Sequence, residues 1–179
     1  MPLHDDLRQL AFYMGADFCG VADLAPARQA IVGQGGPALA DYPRAVSVGI
    51  ALLNPIVDQL PRRFERPVAA LYRHHAYDVV NQRLDHITSR LSTALQRAGH
   101  RALPVPASQT VDDERLWGLI SHKLAAHLAG LGWIGKSCML VTPEVGPRVR
   151  WATVLTDAPL EAAGEPMAPR CGSCQECVD

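Results

Sequence analysis

The sequence predicts an α+β fold in which a mixed or antiparallel sheet is flanked by helices. Segments with helical periodicity alternate with a few short apolar runs of strand character, and a short turn joins the last two runs. A parallel sheet would need a crossover of a dozen or more residues between strands. Of the 179 residues, 48% are hydrophobic and 20% are charged, which is typical of a globular domain with its own core.

In the first half of the chain we predict a helix, two strands and the start of a long helix. An apolar stripe predicts the N-terminal helix, and the run DFCGVADL after Gly15 predicts a strand. Residues 25 to 43 are rich in Gly, Pro and Ala and are predicted to be irregular. The mostly apolar run at residues 44 to 53 predicts a buried strand.

In the second half the clearest element is a helix from about Val68 to Ala98, because six apolar residues follow helical spacing and Gly99 supplies a stop. Residues 101 to 107 are predicted to be extended. Residues 112 to 130 are predicted to form another helix, behind acids suited to a helix N-terminus. Strands in CMLVTP and RVRWATVLTD are predicted to form a hairpin through EVGP.

Charge and the N-terminal segment restrict the partners and the location. The formal net charge is -1, so no global positive field attracts nucleic acid or an anionic membrane surface. The N-terminus has two early acids and an interrupted apolar run, unlike a secretory signal, and the chain is predicted to be cytoplasmic. No segment approaches the roughly 18 consecutive apolar residues of a membrane-spanning helix.

The stretch GLGWIGKS at residues 130 to 137 matches two phosphate-binding patterns, GxGxxG and GxxxxGK[ST]. Both need a strand before the glycines, and the second needs a helix starting at the lysine. Here a predicted helix precedes the glycines and strand character follows Ser137, so the context disfavours a nucleotide. Asp157, which ends a predicted strand as a magnesium-binding acid would, favours one. The plainer interpretation is a glycine-rich helix cap with Trp133 and Ile134 packed into the core.

The C-terminal stretch CGSCQECVD carries three cysteines at CxxCxxC spacing. Cys171, Cys174 and Cys177 match the opening of the bacterial ferredoxin run, in which thiolates on a tight loop bind a four-iron four-sulfur (4Fe-4S) cluster. Zinc is the competing metal, but zinc knuckles usually pair with a second knuckle or two histidines. We expect the remaining ligands to come from elsewhere or from a longer polypeptide.

Other residues give weaker signals. None of the seven histidines forms a paired pattern such as HExxH, so most are expected to be exposed or hydrogen-bonded helix residues. Asp112 and Asp113 are expected to serve a helix N-terminus rather than acid/base chemistry. Cys138 is either a reactive thiol or a small residue entering a strand. The polar segment VPASQTVDDER is a candidate for contacting a ligand.

Taken together, AGLGWIGKS, the two strands after it and CGSCQECV resemble the epoxyqueuosine reductase family, which is related to the corrinoid-dependent reductive dehalogenases. The resemblance covers most of the chain, because LYRHHAYDVVNQRL, the glycine loop, RWATVLTD and the cysteine motif occur in the same order. It implies a cobalamin-binding domain of nitroreductase-like fold at residues 1 to 165. It also implies that residues 166 to 179 begin a ferredoxin-like domain whose two 4Fe-4S clusters supply electrons to cobalt.

The resemblance further implies the site residues and the partners. The glycine loop would pack against the corrin ring or its amide arms. The residues implied at the cobalamin are Tyr77, Gly130, Gly132, Trp133, Lys136, Ser137, Cys138 and Met139, and those implied at the cluster are Cys171, Cys174 and Cys177. The implied substrate is a small molecule or a modified nucleoside, with a redox donor protein as partner and no membrane. Direct nucleic-acid binding is expected only if tRNA is the substrate.

The sequence departs from the family pattern at the proton donor. The family carries that aspartate in a Val-Asp-Ser-Ala-Pro stretch, whereas the comparable segment here reads Val105-Pro106-Ala107-Ser108-Gln109. Asp112 and Asp113 are substitutes by position alone, so the catalytic residue stays unassigned. The leading hypothesis is a cobalamin-dependent iron-sulfur reductase of uncertain substrate. The alternatives are a non-catalytic iron-sulfur electron-transfer or sensing protein, and a nucleotide-binding protein with a zinc knuckle.

Overall fold

A four-stranded antiparallel sheet forms the centre of the fold. The computed structural model describes residues 3–111, 114, 118–162 and 164–178. The helices are α1 (Leu3–Tyr13), α2 (Arg28–Gly35), α3 (Asn54–Val57), α4 (Arg66–Arg73), α5 (Asn81–Arg97) and α6 (His122–Leu128). The strands are β1 (Phe18–Asp23), β2 (Arg44–Ala51), β3 (Ala102–Val105), β4 (Trp133–Ile134), β5 (Leu140–Val141) and β6 (Val149–Thr156).

The strand order in the central sheet is β1-β2-β6-β3, and each neighbouring pair is antiparallel. The middle strands β2 and β6 are buried over almost their whole length, because helices cover both faces of the sheet. The short strands β4 and β5 pair with each other in a separate two-stranded sheet. The prediction of an α+β fold with an antiparallel sheet flanked by helices is confirmed.

Helices α1 and α5 cover one face of the central sheet. The stripe of α5 that contains Leu84, Leu91 and Leu95 is completely buried, and it packs on Val48 of β2 and Val154 of β6. The helical spacing of these leucines is the signal from which the long helix was predicted. The other face carries α2 and α6, whose Ile31 and Ala125 pack against Ala45 and Leu155. The two layers of helices leave the ends of the sheet to the loops that carry the candidate site.

The predicted long helix is confirmed and is longer at its N-terminus than the sequence indicated. It runs without interruption from Arg66 to Arg97, but residues His74–Val80 form a π-helical segment between α4 and α5. Wide turns of this kind are rare and occur frequently at functional sites. Tyr77 lies within the π-helical segment, with 43% of its surface exposed.

Residues 25 to 43 are not irregular, so that prediction is wrong. They form a 3₁₀ turn (Ala25–Ala27), α2, and a second 3₁₀ turn (Pro37–Asp41). With eight residues and two glycines, α2 has little helical preference of its own. Burial of Ile31 against α6 supplies the stabilisation that the sequence pattern did not reveal.

Two further predictions are corrected. The runs CMLVTP and RVRWATVLTD do not pair as a hairpin, because β5 pairs with β4 while β6 pairs with β2 and β3. Among the described residues of the predicted helix at 112 to 130, only those of α6 are helical. Helix α6 begins after Ser121, whose hydroxyl accepts a hydrogen bond from the Leu124 N–H at 3.4 Å. Residues 118 to 120 are not helical, and Asp112 and Asp113 lie outside the described residues.

None of the helices in the described ranges is long and apolar enough to cross a bilayer.

Candidate functional site

The glycine loop begins as a cap on the C-terminal end of α6. Gly130 has a positive φ of 72°, its N–H donates to the His127 carbonyl at 2.9 Å, and the Leu131 N–H donates to Ala126 at 3.0 Å. These bonds satisfy carbonyls left free at the end of α6, and the left-handed conformation suits glycine. Ile134 packs against the buried cluster that contains Leu140 and Trp151. The interpretation of this loop as a helix cap therefore agrees with its local structure.

The other glycines of the loop let two segments approach its backbone. A side chain at Gly132 would clash with the carbonyl oxygen of Val141 in β5. A Cβ at Gly130 would lie 3.0 Å from the carbonyl oxygen of Glu165, in the segment that leads to the cysteines. The loop is therefore enclosed between β5 on one side and the C-terminal segment on the other.

The cysteine segment lies directly against the glycine loop. The Lys136 ammonium donates a hydrogen bond to the Cys174 carbonyl at 2.8 Å, and the Lys136 backbone N–H donates to the Cys171 sulfur. The Arg170 guanidinium lies over the Trp133 ring, 5.6 Å from its centroid. One residue of the loop thus contacts two of the three motif cysteines.

The Cys171 thiol is poised to ionise. Its pKa lies below the usual cysteine range because the Lys136 N–H donates to the sulfur, the Trp133 indole N–H lies beside it, and the Lys136 ammonium adds positive charge. The indole nitrogen is buried and forms no regular hydrogen bond within the described part of the chain. A thiolate at Cys171 would be a stronger acceptor for this N–H, so the environment fits a metal-bound cysteine.

The three motif cysteines fit a cluster in ligand type. They are free thiols on turns, partly or fully exposed, and a backbone hydrogen bond of 2.9 Å joins the Cys174 N–H to Cys171. Among the residues described, no three His, Cys, Asp or Glu side chains are already gathered into a metal site. The chain thus offers three soft sulfur ligands on closely spaced turns, which suits iron-sulfur or zinc.

The loop lacks the structural context of a phosphate-binding loop. It follows helix α6 instead of a strand, and the segment after Lys136 leads into β5 instead of a helix. Asp157 is also engaged elsewhere, because its carboxylate accepts hydrogen bonds from the Arg101 backbone and side chain, both at 2.8 Å. This geometry argues against nucleotide binding at the loop.

Cys138 has an unusual backbone conformation for a residue other than glycine. Its φ is +59°, in the left-handed region that costs such residues on the order of 1 kcal/mol. Its carbonyl accepts a hydrogen bond from the Lys123 ammonium at 2.8 Å. The side chains of Cys138 and Met139 are exposed beside the loop, and Ser137 is partly buried.

Tyr77 contacts a residue that the sequence analysis did not single out. The Arg150 guanidinium lies 4.2 Å from the Tyr77 ring centroid, and Arg150 Nε donates to the buried Asn81 side chain at 3.1 Å. The Tyr72 ring meets Tyr77 edge to face, with centroids 6.3 Å apart. The next residue of β6, Trp151, points to the opposite face and joins the cluster beneath the glycine loop. Tyr77 and the loop therefore lie at the same end of the sheet but on opposite faces.

The segment at 105 to 110 lines a cavity of about 200 Å³ together with residues 118 to 120 and His122. Two side chains hold the backbone of this segment in place. The Asp85 carboxylate accepts a hydrogen bond from the Ala107 N–H at 2.8 Å, and His122 Nε2 lies 2.9 Å from the Pro106 carbonyl. The polar side chains of Ser108, Gln109 and Thr110 belong to the wall of this cavity.

The hydrogen bonds of His122 identify its neutral tautomer. Nε2 must carry the proton that it donates to the Pro106 carbonyl, so Nδ1 accepts from the Thr153 hydroxyl at 2.9 Å. Burial lowers the pKa of His122, and the Arg150 charge lowers it further, while the Pro106 carbonyl and Asp85 act in the opposite direction. His122 is therefore a neutral anchor for the loop near neutral pH.

The structure brings some of the predicted site residues together and not others. Gly130, Gly132, Trp133 and Lys136 lie with the cysteine segment, whereas Tyr77 lies with Arg150. Arg150 and His122 were missed. A charged residue inside an otherwise apolar strand is a signal that could have identified Arg150, because such residues are rarely buried without a partner.

Comparison with known proteins supplies the wider context. No protein-family model matches the chain. An epoxyqueuosine reductase from Synechococcus sp. (strain CC9605) is 36% identical over 128 residues, which cover 71% of this chain and 36% of that protein. An epoxyqueuosine reductase from Bacillus anthracis is 37% identical over 62 residues, which cover 35% of this chain and 16% of that protein. The chain thus matches well under two thirds of the length of these relatives.

Solved structures share the fold. An epoxyqueuosine reductase bound to a tRNA-Tyr stem loop modified with epoxyqueuosine superposes with a TM-score of 0.61 and 19% identity, covering 98% of this chain and 50% of that one. A reductive dehalogenase described as B12-dependent gives a TM-score of 0.68 and 22% identity, covering 90% of this chain and 22% of that one. At these low identities the structural matches show the fold alone, and the sequence relatives show the family. The chain therefore belongs to the epoxyqueuosine reductase-like family.

Proposed function

We propose that the chain is the cobalamin-binding part, with the first cluster ligands, of an iron-sulfur reductase related to epoxyqueuosine reductase. The observation that carries this proposal is the contact between the glycine loop and the CxxCxxC segment, through Lys136, Cys171 and Cys174. Membership of a reductase family supports it. In such an enzyme the cluster supplies single electrons and the cobalt of cobalamin supplies the reducing centre.

The proposed cluster and the proposed cobalamin would bind on opposite faces of the sheet, at the same end. Cys171, Cys174 and Cys177 would ligate a cluster, together with at least one further ligand that these three residues do not supply. On the opposite face, the exposed Tyr77 ring and the Arg150 guanidinium form a flat, cationic surface. A planar macrocycle with polar amide arms can stack on the ring and accept hydrogen bonds from the guanidinium. Ser137, Cys138 and Met139 belong to the glycine loop on the other face, and they would meet the macrocycle or its amide arms only where these extend past the end of the sheet.

The cavity at residues 105 to 110 is the proposed place of the reacting part of the substrate. Ser108, Gln109 and Thr110 supply hydrogen-bonding groups there, and Asp85 and His122 hold the backbone that carries them. The segment 105 to 111 reads VPASQTV, so it contains no Asp or Glu side chain that could donate a proton. Asp112 and Asp113 follow directly in the sequence, and by that position alone they are the candidates for a proton donor.

The missing acid favours a second candidate function, a non-catalytic iron-sulfur electron-transfer or sensing protein. Conversion of a substrate distinguishes the reductase from the non-catalytic protein. The natural full-length protein, loaded with cofactors under anaerobic conditions, would be given a low-potential reductant and a tRNA stem loop carrying epoxyqueuosine. Corrinoid-dependent reduction supports the reductase proposal. Cluster reduction without any substrate conversion, on this and on other epoxides or halides, supports electron transfer.

A local basic surface supports RNA as the carrier of the substrate, despite the net charge of -1. Residues 60 to 73 hold four arginines and one glutamate. Within the described ranges, Glu65 pairs with Arg62 at 2.7 Å, and Arg63, Arg66 and Arg73 have no carboxylate partner. Phe64 is 87% exposed and is stacked by Arg63 at 4.6 Å. Arginines interleaved with an exposed aromatic ring suit phosphates and unstacked bases. The related enzyme bound to a tRNA stem loop makes this carrier reasonable.

Reversing two charges on this surface is expected to weaken RNA binding. The variant Arg63→Glu with Arg66→Glu should lower the affinity of the natural full-length protein for a tRNA stem loop by roughly tenfold, and lower the salt slope by about 2, because two phosphate contacts are lost. Fluorescence anisotropy at several salt concentrations measures both. The matched control is Arg90→Glu with Arg97→Glu, two exposed arginines of α5. Equal losses in both variants would contradict the assignment of the surface.

A further inference from the structure

We propose that Lys136 and Trp133 raise the reduction potential of the cluster bound by the cysteine segment. Lys136 acts through its charge, and Trp133 acts through its indole N–H. This inference rests on the proposed function, because it requires a cluster on Cys171 and Cys174. It assigns these two residues to the cluster, in addition to any contact that they make with cobalamin.

The position of Lys136 is the first observation. Its ammonium lies 2.8 Å from the Cys174 carbonyl oxygen, and its backbone N–H reaches the Cys171 sulfur. Among the described residues no carboxylate pairs with Lys136, and its ammonium contacts a residue that carries a cluster ligand. The neighbouring Gly135 also lies against this segment: a Cβ there would be in van der Waals contact with the Cys171 sulfur at 3.7 Å and would crowd the Val141 side chain at 2.9 Å.

The indole of Trp133 is the second, independent observation. Its N–H is buried, forms no regular hydrogen bond to any described residue, and lies beside the Cys171 sulfur. A buried N–H that has only a thiol sulfur beside it lacks a strong acceptor. A cluster thiolate at Cys171 would provide one. The Arg170 guanidinium over the ring, 5.6 Å from its centroid, adds a second positive charge next to Cys171.

The effect on the potential follows from charge. One-electron reduction of a 4Fe-4S cluster adds one negative charge to the cluster and its thiolates, and the electron comes from the reductant. Nearby positive charge and N–H donors to sulfur stabilise the reduced state more than the oxidised state. Removing either group therefore shifts the potential to a more negative value, and the cluster becomes harder to reduce.

The test is a potentiometric titration of the natural full-length protein, reconstituted anaerobically with iron and sulfide and followed by electron paramagnetic resonance. Lys136→Gln and Trp133→Phe are each expected to shift one cluster to a more negative potential, and Lys136→Arg is expected to keep the wild-type value. Lys123→Gln is the matched control, because the Lys123 ammonium also donates to a backbone carbonyl at 2.8 Å, that of Cys138. It is expected to leave every cluster potential unchanged.

Unchanged potentials in both Lys136→Gln and Trp133→Phe would overturn this inference and leave the proposed function standing. An equal shift in Lys123→Gln would overturn it as well, because the effect would then be general to surface charge. A wild-type protein that takes up no cluster would overturn the proposed function and this inference with it. If Lys136→Gln takes up no cluster, Trp133→Phe decides the inference: a more negative potential in that variant would support it, and an unchanged potential would overturn it.

Discussion

Replacing Cys171 with alanine is expected to abolish uptake of the cluster that this cysteine ligates. Cys171 is the motif cysteine whose thiolate is favoured by its surroundings, with the Lys136 N–H and the Trp133 indole beside its sulfur. A 4Fe-4S cluster that loses one of its four thiolate ligands is rarely retained. Iron and acid-labile sulfide, measured on the anaerobically reconstituted natural protein, should fall by the content of one cluster.

Cys19→Ala is the control for this experiment. Cys19 lies in β1 and packs against the main core cluster, where burial raises the pKa of its thiol to about 12, unlike that of Cys171 in the motif. This variant should keep the wild-type iron content. A Cys171→Ala protein with as much iron and sulfide as the wild type would contradict the assignment of the cysteine motif.

Replacing Gly132 with alanine is expected to destabilise the scaffold of the site. The added Cβ would clash with the Val141 carbonyl oxygen, a backbone atom that cannot move without disturbing the β4–β5 pairing. Overpacking of this kind typically costs about 1–3 kcal/mol, which for a chain of this length lowers the melting temperature by roughly 2–4 °C per kcal/mol. Differential scanning calorimetry and urea unfolding measure the loss.

The matched substitution is Gly33→Ala in α2, where an added Cβ meets no atom within 4 Å. Alanine in an exposed helical position should leave the free energy of unfolding unchanged or raise it by up to about 1 kcal/mol. Equal melting temperatures for the two variants would show that the glycine loop does not need the close approach of β5.

The sequence predicted those elements whose signal is local and long. Helix α5 was recognised because Leu84, Leu91 and Leu95 repeat at helical spacing over many residues, and the stripe that they form is the one buried in the core. The pairing of β4 with β5 could not be predicted, because two-residue strands carry no alternation to read. The apolar run of β6 was paired with CMLVTP because the two are neighbours in the sequence, whereas its partners β2 and β3 lie far away along the chain.

In the candidate site too, local patterns were predicted and contacts between distant residues were not. The cysteine spacing and the glycines are local patterns, and they were found. The contact between Lys136 and Cys174 joins residues 38 positions apart, and that between Tyr77 and Arg150 joins a helix to a strand. The anchoring of the 105 to 110 loop by Asp85 and His122 likewise depends on three separate elements. Such contacts follow from the packing of the layers, which no spacing in the sequence encodes.

The measurement that tests the central claim most directly is the ultraviolet-visible spectrum of the natural full-length protein, purified anaerobically, incubated with cobalamin and then desalted. The account predicts corrin bands that stay with the protein, superimposed on the broad absorption of iron-sulfur clusters. Cluster absorption without retained corrin would contradict the claim of a cobalamin-dependent reductase and would leave an iron-sulfur electron carrier built on the same fold.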